Sequence, residues 1–286
     1  MQHTNTRKLV ESALMIALAT VLSLLKLADL PYGGSITFAS MLPIALISYR
    51  NGLGWGLGSG LAYGVLQQLL GLKTLTYVTG APSVIAVIVL DYLLAFTVIG
   101  LAGMFRRAVP KQSTALSLGV FVTCVLRYAC HVVSGATVWA GLSIPTTAAL
   151  GYSFIYNATY MVPETIVTVL AAYYLASLID FRELEPKRLA RTASESGTAA
   201  WLGAGAALII FAGVIFDVVA IFSKLQDAET GEFNITLLAD SSLWIQVGIV
   251  TALVALAAAA LYIGRNYVTE KKRSASSEES DPQAKA

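Results

Sequence analysis

The stretch PSVIAVIVLDYLLAFTVIGLAGMF, Pro82–Phe105, decides the fold class: 24 residues contain one acidic or basic side chain, Asp91, and are followed at once by Arg106 and Arg107. About 20 apolar residues span the roughly 30 Å hydrocarbon core of a bilayer as a helix. A helix suits that medium because it satisfies its own backbone polar groups. Seven further apolar runs flank this one: Leu9–Leu27, Ile36–Tyr49, Leu53–Leu72, Thr114–Trp139, Tyr152–Leu178, Ala199–Phe222 and Leu243–Ile263. The second is short and interrupted by Pro43. The fold expected is an all-α integral membrane protein of eight spans.

Composition agrees. Hydrophobic residues make up 56% of the chain and charged ones 13%, about half the share a water-facing domain carries; mean hydropathy is +0.70. A net charge of +2, held in short clusters between apolar runs, excludes a nucleic-acid partner. The clusters alternate. Arg7 and Lys8 precede the first run, Arg50 follows the second, Arg106, Arg107 and Lys111 the fourth, and Arg182, Lys187, Arg188 and Arg191 the sixth. Arg265, Lys271, Lys272 and Arg273 follow the eighth. The positive-inside rule then places every cluster, and both termini, on the cytoplasmic side of a multi-pass plasma-membrane protein. The first run is too long for a signal core and is read as a retained span. Residues 265–286 read as a disordered cytoplasmic tail.

Ionisable and polar groups within spans are costly in lipid and are functional candidates by default. Asp91 in the outer half of the fourth span, Arg127 and His131 in the fifth, and Asn157 in the sixth fall at similar depth, with Trp139 and Tyr152 nearer the outer edge. Arg127, His131 and Gly135 are four residues apart and share one helix face. Blander roles compete: an Asp91–Arg127 pair joining two helices, a packing histidine at 131, belt aromatics at 139 and 152.

The run Gly52, Gly54, Gly56, Gly58, Gly60 with Gly64 lacks the register of a nucleotide-binding loop; small residues four apart instead allow close helix approach. No nucleotide-hydrolysing motif occurs. A lone in-span histidine supports no histidine-rich metal site, and no cofactor is expected.

The segments Leu126-Arg-Tyr-Ala-Cys-His-Val-Val-Ser-Gly-Ala-Thr-Val-Trp139 and Gly151-Tyr-Ser-Phe-Ile-Tyr-Asn157 resemble the thiamine-specific substrate-binding S-components of energy-coupling factor transporters. So do Leu90-Asp-Tyr92 with Gly100-Leu-Ala-Gly-Met-Phe-Arg106, and Pro31-Tyr-Gly-Gly-Ser35 with Met41-Leu-Pro43. The likeness covers about Arg7 to Leu178. It implies a six-helix bundle holding one vitamin near the extracellular side, with the loop after the first helix as a lid. It also implies partners: thiamine as ligand, a transmembrane coupling subunit and two ATPase subunits. Carried over by residue, Asp91 takes the acidic position and Arg127 the basic one, where a family member has Glu and Lys. His131, Trp139, Tyr152 and Asn157 match in kind. Gly34 replaces a lid tryptophan and Tyr63 an aromatic of the third helix. Ala13 and Ala17 resemble the family's docking surface for the coupling subunit, with ordinary packing as the competing role.

Thiamine also suits these groups chemically. A carboxylate and an amide can hold the edge of an aminopyrimidine, and aromatic faces attract a thiazolium cation. Two other functions stay open: an S-component for a related heterocycle such as a thiamine pyrimidine precursor, and an intramembrane enzyme using Asp91 and His131 as acid and base. The domain organisation expected is a binding domain over 1–180, a linker over 181–198 and an additional transmembrane hairpin over 199–264.

Overall fold

The structure, a computed structural model, describes residues 5–30, 34–78, 80–141, 146–183, 185–189, 197–225 and 241–279. Among the described residues eight longer helices follow one another, with a short 3₁₀ segment, Leu72–Tyr77, between the third and fourth: α1 (Asn5–Leu24), α2 (Leu42–Asn51), α3 (Leu53–Leu70), α4 (Ala81–Arg106), α5 (Gln112–Gly141), α6 (Thr146–Leu178), α7 (Gly197–Leu225) and α8 (Ser241–Glu279). Two short antiparallel ribbons interrupt them, β1 (Lys26–Asp29) with β2 (Ser35–Thr37), and β3 (Ile179–Asp180) with β4 (Lys187–Arg188). The chain divides into two compact units, Met1–Leu189 and Ala190–Ala286.

In the first unit, α3 lies unusually close to α4, and the glycine run explains why. A Cβ at Gly56 would strike the Gly100 carbonyl and the Ser48 side chain; at Gly60 it would come within 2.6 Å of the Phe96 carbonyl, and at Gly64 within 2.7 Å of the Tyr92 carbonyl. Gly54 and Gly58, on the other side of the helix, face open space. Only the four-spaced subset 56, 60, 64 is thus the packing stripe. Along that contact α4 is irregular, widening to a π-helix over Val87–Leu94, which includes Asp91, and tightening to a 3₁₀-helix over Val98–Arg106.

The second span differs from the expected Ile36–Tyr49 helix. Ile36 and Thr37 lie in β2, Ala39 turns the chain with φ 54°, and α2 begins only at Leu42, with Pro43 in its first turn. Pro43 therefore starts the helix, a position where its missing N–H costs nothing. Ten residues rise about 15 Å, half a hydrocarbon core. Met41 stands at the depth of Arg127, 2.9 Å from its guanidinium, so the other half of this segment is extended chain beside a cavity. Non-helical backbone at membrane depth is tolerated in such a place and not against lipid.

Charges mark one end of this unit. Arg50 is buried; it pairs with Glu11 of α1 and donates to the Phe181 carbonyl at 3.2 Å. Arg106 donates to the Arg50 carbonyl at 2.9 Å, and Arg182 to the Pro110 carbonyl at 2.7 Å and the Tyr49 hydroxyl at 3.2 Å. The ends of α2, α4 and α6 meet here with the start of α5, as alternating crossings require. These contacts also hold 181–182 of the expected linker against the first unit, and β4 returns to pair with β3. The next stretch, 190–196, lies outside the described residues.

Among the described residues, five helical segments are long and apolar enough to cross a membrane: Ala81–Arg106, Gln112–Thr137, Ala149–Leu178, Gly197–Ile221 and Ser241–Lys272. The remaining three are weaker by composition or length: α1 carries Arg7, Lys8 and Glu11, α3 carries Gln67 and Gln68, and α2 is short. In the second unit α7 packs along α8. Leu243 is buried against Ala220, Ile221 and Val247, Gly213 abuts the Val254 side chain, and Thr251 donates to Asp217 at 2.7 Å. α8 runs on to Glu279, so residues 265–279, expected as disordered tail, are helical; the rest of that tail lies outside the described residues.

Candidate functional site

A cavity of about 270 Å³ opens among α3, α4, α5, α6 and the β1–β2 ribbon. Each element brings a different chemistry. α5 turns Arg127, His131 and Gly135 toward it along one face, as their spacing requires. α4 supplies Asp91 from its π-helical turn, an irregularity often found at functional sites. α6 supplies Tyr156, Asn157, Tyr160 and Glu164, which recur at helical spacing on one face.

The ionisable groups are paired in a way the sequence reading did not anticipate. His131 Nδ1 lies 2.9 Å from Asp91 Oδ1. Arg127 instead meets Glu164 Oε2 at 3.2 Å and lies over the Phe96 ring, 4.6 Å from its centroid. The Asp91–Arg127 pair considered above is therefore not formed. Glu164 is almost fully buried, and its second oxygen accepts from the Thr37 hydroxyl of β2 at 2.7 Å. Each oxygen of this carboxylate is engaged, one by the cavity wall and one by the ribbon.

Asn157 is equally constrained. Its amide nitrogen donates to the Ser153 carbonyl at 2.8 Å and the His131 carbonyl at 3.3 Å, and its oxygen accepts from the Tyr160 hydroxyl at 2.5 Å. Asn157 therefore ties α6 to α5 and fixes Tyr160. Among the cavity-lining residues, two buried side-chain nitrogens have no hydrogen-bond partner among the described residues, His131 Nε2 and Arg127 Nε. Leaving such groups unmet costs about 1–3 kcal/mol each, and a polar ligand in the cavity is one means of meeting them.

Gly34 and Tyr63 both line the cavity. Gly34 has φ +92°, and a Cβ there would come within 2.8 Å of the Tyr160 ring. Tyr160 occupies the space a larger lid residue would need. Tyr63 is fully buried; its hydroxyl donates to the Ala19 carbonyl at 3.3 Å, and its ring meets Phe96 edge to face.

Seven of the nine residues singled out from sequence thus surround one cavity: Gly34, Tyr63, Asp91, Arg127, His131, Gly135 and Asn157. Tyr152 stands one layer away, stacked on Tyr156 with ring centroids 6.3 Å apart. Trp139 belongs to α5, but its side chain lies outside the described residues. Sequence reasoning missed Glu164, Thr37, Tyr156 and Tyr160. Ala13 and Ala17 are exposed on α1, whose buried residues are Ser12, Ala19 and Ser23.

The arrangement offers a carboxylate, a histidine and tyrosine faces in a partly enclosed space, suited to binding a planar, polar, aromatic molecule. Residues 9–180 match the family model described as thiamine transporter protein (Thia_YuaJ). A relative named thiamine transporter ThiT, from Bacillus subtilis (strain 168), is 36% identical over 171 residues, covering 56% of this chain and 85% of its own length. Another of that name, from Lacticaseibacillus paracasei, is 26% identical over 196 residues, covering 62% and 90%. A solved structure of ThiT from Listeria monocytogenes is 25% identical, covers 59% of this chain and 92% of its own, and superposes with a TM-score of 0.48. By the match over more than half its length, this chain is a member of the thiamine transporter protein (Thia_YuaJ) family.

Proposed function

We propose that this protein is the substrate-capture subunit of a vitamin importer, binding thiamine in the cavity among α3–α6 near the extracellular face. The observation that carries this is the placement of Asp91, His131 and Asn157 around one cavity in a chain whose curated relatives are named thiamine transporters. Asp91 and His131 are positioned to hold the edge of the aminopyrimidine, and the tyrosines of α3 and α6 to face the thiazolium. Transport then requires an energy source outside this chain, a transmembrane coupling subunit with two ATPases. The exposed Ala13–Ala17 face of α1 is the surface on which that subunit would dock. The charged end formed by Arg50, Arg106 and Arg182 faces the cytoplasm in this scheme.

The test is a titration of the protein, purified without added vitamin, with thiamine, its phosphates and the pyrimidine precursor, followed by tryptophan fluorescence. Saturable one-to-one quenching by thiamine without its chemical alteration is expected. Tighter binding of the pyrimidine precursor than of thiamine would instead assign the cavity to that heterocycle, a reading favoured by Gly34 and Tyr63 standing where the family carries other aromatics.

A further inference from the structure

Four acidic or basic side chains line the cavity from α4, α5 and α6, Asp91, Arg127, His131 and Glu164, and the exposed Lys26 of β1 lines it as well. Arg127 is always charged at ordinary pH. With side chains 9% and 2% exposed, Arg127 and Glu164 are both shut off from water, so neither is screened as a surface charge would be. Asp91 faces His131 rather than Arg127. Counting Asp91, Arg127 and Glu164 alone, the formal charges of the wall sum to −1; without Glu164 they sum to zero, and the buried guanidinium loses the carboxylate that meets it.

Resting on the thiamine reading above, we infer that Glu164 is the residue that selects for a cationic ligand: it cancels Arg127 and leaves Asp91 as the net charge of the wall formed by α4, α5 and α6. Glu164 acts through Arg127 and is a positioning residue in this sense, since its two oxygens are held by the Arg127 guanidinium and the Thr37 hydroxyl. The Thr37 link adds a second consequence. The β2 strand is anchored to the same carboxylate that sets the charge of the cavity, so the ribbon beside the cavity and its electrostatics depend on one side chain.

Charge selection is read by comparing thiamine with its uncharged isostere, in which carbon replaces the thiazolium nitrogen. In the full chain, Glu164→Gln keeps the shape and an acceptor for Thr37 but removes the charge. The ratio of thiamine to isostere affinity should fall about tenfold or more, with isostere affinity changing much less. A ratio within twofold of the parent protein's overturns the inference while leaving thiamine capture intact; failure of the parent protein to bind thiamine overturns both. Because a lone buried guanidinium can prevent folding, Arg127→Gln/Glu164→Gln is measured alongside. It removes both charges, leaves Asp91, and should return the ratio to within about threefold of the parent value. A ratio that stays low in this folded double variant also overturns the inference.

Discussion

Asp91 Oδ1 and His131 Nδ1 lie 2.9 Å apart across the α4–α5 contact. If the Nδ1 proton points at the carboxylate, Nε2 is left as an acceptor, and this buried atom has no partner among the described residues. Asp91 therefore holds the His131 ring in its orientation beside the cavity. Asp91→Ala should weaken thiamine binding by about 1–3 kcal/mol, the usual loss when a buried polar group is left unmet. Calorimetric titration showing unchanged affinity would remove Asp91 from the site.

Asn157→Ala tests a different role. Its side chain holds Tyr160 at 2.5 Å and reaches the His131 carbonyl at 3.3 Å, so its loss should loosen the α5–α6 contact as well as the cavity. Both thiamine affinity and melting temperature in detergent are expected to fall. Asp91→Ala should lower mainly the affinity, and equal melting losses in the two variants would contradict this division.

The glycine stripe gives a prediction about stability alone. Gly60→Ala puts a methyl against the Phe96 backbone, whereas Gly58→Ala enters open space. Overpacking costs typically 1–3 kcal/mol, and alanine is the better helix former by about 1 kcal/mol. Gly60→Ala should therefore melt well below the parent protein, and Gly58→Ala at or above it.

Much of this architecture could be read from the chain. Pro82–Phe105, the basic clusters and the four-residue spacing of Arg127, His131 and Gly135 carry enough physics to place a polar site between helices. Glu164 was legible too. It is an ionisable residue within an apolar run, seven positions beyond Asn157 and so two turns along the same face. The half-length of α2 was not legible, because extended chain lining a cavity is as apolar as a helix facing lipid. The glycine run showed close packing but not which glycines packed; only the position of α4 separates 56, 60 and 64 from 54 and 58.

The exposed alanines of α1 predict a separation of binding from transport. Ala13 and Ala17 are exposed and are not among the residues lining the cavity. Leucine at either position should leave thiamine titrations unchanged while abolishing uptake by cells that supply the coupling subunit and ATPases. Normal uptake by both variants would move the docking surface elsewhere.

The last prediction concerns the second unit. Every described residue lining the cavity lies before Leu189, where the first compact unit ends, and the Arg50 and Arg182 contacts close that unit at its charged end. The described part of the second unit has its own packing, with Leu243 against α7 and Asp217 satisfied in part by Thr251. A chain ending after Leu189 should therefore fold in detergent and bind thiamine within about threefold of the full-length value, an energy difference under about 1 kcal/mol. The two terminal helices would then serve assembly or stability. A truncated protein that elutes as a single sharp peak but no longer binds would place α7 or α8 against the vitamin site.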